Sequence, residues 1–296
     1  NGAFTRALFT PAQLRARVID DFFEDYSPAE AHDDAVTLAA FGLLDPQYDL
    51  ISLYTELFSE QIAGFYDHKT KEMVIVQGEG FNGPERLTYA HEYTHALQDQ
   101  TYDLENGLRY NDTACDEDSE RCAALQALIE GDASYLETQW LTSSATQTDK
   151  RQIQQFYSTY ASPVYDSAPA FLQEDFTFPY RAGYDFIDTL YQQNGWAAVD
   201  AAYLAPPVST EQILHPEKYP ADTPTPVALP DLAAALGSGW TKLDADTMGE
   251  WYTYLILARG LAPKTRLDET TARAPAAGWQ GDAYAVYNHS PTHLTA

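Results

Sequence analysis

The chain has 296 residues, 45% of them hydrophobic, so it can bury a large core and does not have the composition of a disordered polymer. Asp and Glu total 44 against 17 Lys and Arg, a formal net charge of -27; nucleic acid is excluded as the expected partner, because a polyanion would be repelled and no basic patch is visible. No run of about 18 apolar residues exists, so no segment reads as a membrane span.

The acid is spread along the chain and Lys is scarcer than Arg, a pattern that reads as a solvated acidic shell on a folded core. Two settings account for it: molar salt, whose screening relieves self-repulsion, or an acidic secreted protein from an ordinary habitat. The chain opens at Asn1 rather than Met, which suggests that an export segment or anchor was removed. The expected localisation is extracellular or at the cell surface.

In chain order, Thr10-Pro11-Ala12-Gln13 and Ser27-Pro28-Ala29-Glu30 each read as a capping box with Pro at the first helical position. Helices follow with apolar residues at helical spacing, and a third runs over about 50–62. The period then changes. Residues 63–67 and 72–76, joined by His68-Lys69-Thr70-Lys71, read as a β-hairpin that either covers the next helix or offers an edge to an extended peptide.

The helix from about Pro84 to Asp103 carries His91-Glu92-Tyr93-Thr94-His95. Four residues apart on a helix, His91 and His95 project from one face and can meet one metal ion. Glu92 lies beside them, placed to take a proton from a metal-activated water without being a ligand. Leu87, Ala90, Thr94 and Leu97 form the expected buried stripe. Asp99, one turn past His95, is placed to accept the outer N–H of a ligand imidazole. The alternative for these histidines and for Asp99 is simple solvation on a helix.

Cys115 and Cys122 lie about an acidic loop at 112–118; they are either a small disulfide-closed loop of a protein outside the cell or two free thiols. Ser119 then opens a long helix to about Leu141. Within it Glu130 shares a face with Ala123, Ala127 and Ser134, small residues that allow close approach to the histidine helix. Glu130 is therefore the expected third ligand, ahead of Glu120 and Glu137, and two His with one Glu leave a fourth tetrahedral position for water. Gly131 costs about 1 kcal/mol relative to Ala inside a helix, so it needs a packing reason.

The second half is helical and rich in tyrosine. Phe178-Pro179-Tyr180 opens a helix ending near Gly195, and Ser209-Thr210-Glu211-Gln212 caps another that stops before His215-Pro216. Residues 220–230 hold four prolines and read as an exposed connection. A helix runs from about Met248 to Arg259, and 283–287 alternates like a strand with no partner strand after it.

His91-Glu92-x-x-His95 with the later Glu130-Gly131-Asp132-Ala133 resembles the gluzincin branch of the zincin metallopeptidases over about 64–141. More loosely, Ser209 to Pro216 is similar to segments of secreted prokaryotic proteins of that type. The resemblance implies an α+β, mainly α-helical, zincin-like fold with a small β-sheet or hairpin before the metal-binding helix. It implies Zn2+ held by His91, His95 and Glu130, Glu92 as general base, and a Tyr or His that stabilises the oxyanion. Tyr180 and His215 are the candidates for that last role, each at an expected helix terminus beside a proline, with Tyr184 and Tyr219 behind them. The expected function is zinc-dependent hydrolysis of a peptide or protein substrate. A non-catalytic zincin-like binding protein and zinc hydrolysis of a non-peptide amide are the alternatives. The chain is read as one zincin-like unit over 1–296, or as a metal-binding lobe 1–145 with a helical lobe 146–296 closing the cleft.

Overall fold

The computed structural model of the chain describes residues 4–78 and 80–289. Strand β1 (Thr5–Phe9) leads into α1 (Pro11–Asp25), α2 (Pro28–Ala40) and α3 (Leu50–Gln61), and β2 (Gly64–Asp67) and β3 (Glu72–Val76) precede the histidine helix α4 (Gly83–Tyr102). Then come α5 (Asp112–Glu117), α6 (Ser119–Ser143), α7 (Gln147–Thr159), α8 (Pro163–Ser167) and α9 (Ala170–Asn194). The last part holds α10 (Trp196–Leu204), α11 (Thr210–Leu214), α12 (Ala233–Leu236), β4 (Trp240–Asp246), α13 (Gly249–Arg259), α14 (Glu269–Ala276) and β5 (Tyr284–His289). The fold is α+β and mainly helical. No helix among the described residues is long and apolar enough to cross a membrane.

Local chemistry explains several of these starts. Both capping boxes form: Thr10 with Gln13 opens α1, and Ser27 with Glu30 opens α2, each followed by a proline that needs no N–H there. The hairpin β2–β3 pairs antiparallel as its alternation requires, and β1 adds to β3 in parallel, so β2 is an edge strand. A Cβ at Gly64 would meet Thr88, which keeps β2 against α4. Met73, Ile75 and Ala96 form a small core between sheet and helix.

Three expectations change. The helix bearing Tyr180 begins at Ala170, not at Phe178, and Pro179 lies inside it. Phe171, Leu172 and Phe178 are buried in the main core, and that burial outweighs the single hydrogen bond a mid-helix proline removes. The acidic stretch at 112–118 is partly helical, as α5, and Cys115 and Cys122 form a disulfide that ties it to α6. The strand at 284–289 does have a partner, but β4 precedes it by some forty residues.

Helices α6 and α9 form the centre. Gly131 and Gly183 face each other at their crossing, where a Cβ on either would run into the opposite backbone. The packing reason for Gly131 is thus α9, not the histidine helix. The core cluster around this crossing runs from Ala31 of α2 to Ala276 of α14, taking residues from both sides of position 145.

Candidate metal centre

Helix α4 presents to the interior a face that is polar. Leu87 and Thr94 are buried as expected, but Leu97 is 38% exposed. His91, Glu92, His95, Gln98 and Asp99 are buried in its place. Burying that many polar groups is costly unless each finds a partner, so their partners define what the face is for.

His91, His95 and Glu130 converge, with one donor atom from each lying within 4.8 Å of the others. Glu130 Oε2 is 3.1 Å from His91 Nε2 and 3.4 Å from His95 Nε2. Two donors held at the usual bond length from one tetrahedral zinc lie about 3.3 Å apart, and the two Glu130 contacts match that spacing.

Proton bookkeeping points the same way. His91 Nδ1 is 3.1 Å from Glu137 Oε2, and a carboxylate there requires Nδ1–H. Its Nε2 also faces a carboxylate, so both contacts are favourable only if the ring is doubly protonated or a cation sits at Nε2. His95 Nδ1 is 2.9 Å from Gln98 Oε1, while Gln98 Nε2 donates to the Ile129 carbonyl and to Asp132 Oδ2. Those two acceptors fix the amide orientation, which fixes Nδ1–H on His95 and leaves the Nε2 lone pair facing Glu130. With His91 Nε2 unprotonated, three electron-rich atoms meet at one point, which protons or a cation must neutralise.

The charge states follow. Burial opposes an imidazolium at His91, but hydrogen bonds to Glu130 and Glu137 outweigh it and raise its pKa well above the usual histidine range. Burial likewise opposes a carboxylate at Glu130, yet the His95 charge and the His91 hydrogen bond hold it far below the usual range. The pocket favours positive charge, supplied by protons or by a metal ion.

Glu92 is 6% exposed, and among the described residues its carboxylate receives no hydrogen bond. Burial raises its pKa, against the opposing charges of His91 and His95. Tyr180 lies over the cluster, its ring centroid 6.1 Å from that of His91. The negative charge of Glu130, with burial and Glu92, keeps its phenol protonated far above the ordinary range. It stands here because it precedes Gly183 by one turn at the α6–α9 crossing, not because it begins a helix. Tyr184 lines the same shallow cleft with Ser134 and Glu137.

Two expected residues are elsewhere. Asp99 accepts from Tyr66 Oη at 2.8 Å and from Lys71 Nζ at 2.7 Å, so it ties α4 to the β2–β3 hairpin and touches neither imidazole. His215, at the end of α11, contacts Glu250 at 2.9 Å and Glu217 at 3.7 Å; its partners lie on other elements than the cluster's. Tyr219, the last fallback, donates to the Ala205 carbonyl. The residues that orient the imidazoles are Gln98 and Glu137. A signal existed for both: Gln98 is three residues past His95, and Glu137 is two turns past Glu130 on one face of α6. Behind Gln98, Tyr203 Oη donates to Asp132 Oδ2 at 2.8 Å and stacks on Tyr102, extending the support.

A family model described as a domain of unknown function (DUF8575) matches residues 238–295, the stretch that contains β4, α13, α14 and β5. No curated protein and no solved structure matches the chain.

Proposed function

We propose that the chain is a zinc-dependent metallopeptidase whose ion is held by His91, His95 and Glu130. The observation that carries this reading is the convergence of those three donors within 4.8 Å of one another, with Glu137 and Gln98 contacting the two imidazoles from behind. Bound there, zinc supplies Lewis-acid activation of water and of a scissile carbonyl.

The protein's own groups do the rest. Glu92, buried and without a hydrogen-bond partner among the described residues, accepts the proton of the attacking water and returns it to the leaving amine. Tyr180, kept as a neutral O–H donor, stabilises the oxygen that becomes negative as the carbonyl is attacked. Strand β2, an edge strand packed on α4, gives an extended substrate main-chain groups to pair with. The Cys115–Cys122 disulfide supports a setting outside the reducing cytosol.

Glu92→Gln tests the mechanism. Zinc content by atomic absorption should stay at the level of the parent protein, and turnover of a mixed peptide library should fall by at least about 10²–10⁴-fold. A Glu92→Gln protein that cleaves peptides at the parent rate would refute the role of Glu92. A parent protein that binds zinc but turns over no peptide would refute the activity.

A further inference from the structure

A second cavity, of about 460 Å³, lies at the opposite end of α6 from Glu137. Four carboxylates line it from four elements: Asp34 of α2, Glu120 of α6, Asp175 of α9 and Asp244 of β4. Its lining contains no Lys, Arg or His.

Each of these carboxylates has neutral partners. Asp34 accepts from Tyr26 at 2.6 Å, Asp175 from Trp251 at 2.8 Å and from Tyr252 at 2.7 Å, and Asp244 from Tyr284 at 2.7 Å. Glu120 is 5% exposed; its Oε1 accepts from the Thr210 amide at 2.6 Å and hydroxyl at 2.8 Å. Among the described residues nothing donates to its Oε2. Thr37, also in the lining and 8% exposed, has a hydroxyl with no hydrogen-bond partner there. A buried carboxylate with one oxygen satisfied and the other without a donor is what a missing ligand leaves behind.

The spacing selects the class of ligand. Among the described residues, the carboxylates of this cavity do not form a group of donors close enough to share a metal ion; that convergence occurs at His91, His95 and Glu130. Tyr54, Tyr252 and Tyr284 supply aromatic walls, which attract a cation whose charge sits on an apolar stem. The volume suits a side-chain-sized guest rather than a bare ion.

We propose that this cavity is a binding site for an organic cation, an alkylammonium or guanidinium group. Entry of such a group gives Glu120 Oε2 a donor and, by bringing positive charge beside the four carboxyl groups, favours their ionised forms. The cation comes either from a free amine or from a Lys or Arg side chain of a peptide. Gln126, which lines the cavity, is one helical turn before Glu130, and Pro179, also in its lining, adjoins Tyr180. That turn is about 6 Å long, within the reach of one long side chain on an extended peptide. Only the peptide source rests on the peptidase reading; the cavity itself does not.

Calorimetry on the full chain stripped of metal with a chelator tests this without turnover. The probes are agmatine, the blocked tripeptide acetyl-Ala-Arg-Ala-amide, and its norleucine counterpart as neutral control, all at one fixed salt concentration. The expected result is saturable binding of the cationic probes, at least tenfold weaker in the Glu120→Gln/Asp244→Asn double variant and at least tenfold weaker for norleucine. Tighter binding of the arginine peptide than of agmatine assigns the site to a substrate side chain; equal or tighter binding of agmatine assigns it to a free amine. Absence of saturable binding of both cationic probes to parent protein with a native circular dichroism spectrum overturns the proposal. So does unchanged affinity in a double variant that retains that spectrum. Loss of peptidase activity alone does not bear on it, because the measurement is made without metal.

Discussion

Helix α6 carries two glutamates ten residues apart, about 15 Å along the axis, Glu120 buried and Glu130 partly buried, whose environments drive them to different charge states. At Glu130 burial opposes ionisation, but two imidazoles converge on the carboxylate and hold it ionised. At Glu120 burial also opposes ionisation, and the two Thr210 donors do not offset it, so its pKa is pushed up to about 8. Burial acts in the same direction at both, so the partner decides: imidazoles that can carry positive charge in one case, neutral donors in the other.

The hardest test of that contrast is Glu130→Ala. Removing the carboxylate should abolish stoichiometric zinc binding, read by metal analysis after dialysis, and take peptide hydrolysis below detection. A variant that retains one zinc per chain would show that the ion is held elsewhere.

Next in size is the pH response of Glu120. In the unfolded chain this carboxyl ionises near 4.5, and in the folded chain near 8. Below 4.5 both states hold the proton and no penalty exists. Between the two values only the folded state holds it, so stability falls as pH rises; above 8 the loss is complete. The full loss is about 4–5 kcal/mol. Glu120→Gln, isosteric and never charged, should flatten the Tm-against-pH profile over that range. An unchanged slope would mean that Thr210 holds Glu120 ionised after all.

The crossing that sets Tyr180 beside His91 gives a smaller effect. Gly131→Ala places a methyl group against the Gly183 backbone, and overpacking of this kind costs about 1–3 kcal/mol. Urea denaturation should show that loss together with a lower kcat. A fully stable Gly131→Ala protein would contradict the close approach of the two helices.

How much of this was legible in the sequence follows the range of the interactions. His91, Glu92 and His95 are set by one helix's period; Glu130 comes from a second helix as read, although the small residues expected to allow its approach to the histidine helix include Ala127, which lies at the α9 crossing, and Ala123, which lines the other cavity. Both capping boxes and the β2–β3 hairpin are equally local, and they form as read. What failed depends on contacts distant in sequence. The start of α9 was hidden by Pro179, because the burial of Phe171 and Phe178 that overrides it involves other helices. The partner of β5 lies some forty residues upstream. His215 carries a residue type that could serve catalysis, but Glu250 on α13 engages it. Tyr180 reached the cluster through a glycine crossing that no local pattern records.

The choice between Gln98 and Asp99 is the finest of these distinctions and gives the last prediction. Both follow His95 within one turn, and the carboxylate is the better partner for an imidazole N–H in isolation. The hairpin decides otherwise: Lys71 and Tyr66 claim Asp99, whose side chain is only 2% exposed, and leave the amide to face His95. Gln98→Leu removes the acceptor that fixes the His95 tautomer and takes one donor from the Ile129 carbonyl and one from Asp132, which keeps Tyr203. Zinc affinity, measured by competition with a chelator, should fall about 10–100-fold. Asp99→Asn should change that affinity by less than about twofold while costing about 1–3 kcal/mol of stability through the loss of two charge-assisted hydrogen bonds. Equal losses of zinc affinity in the two variants would mean that the hairpin and the metal centre are one coupled unit. Unequal losses in the stated direction separate them, with α4 using one side of a single turn to hold an imidazole and the other to hold the sheet.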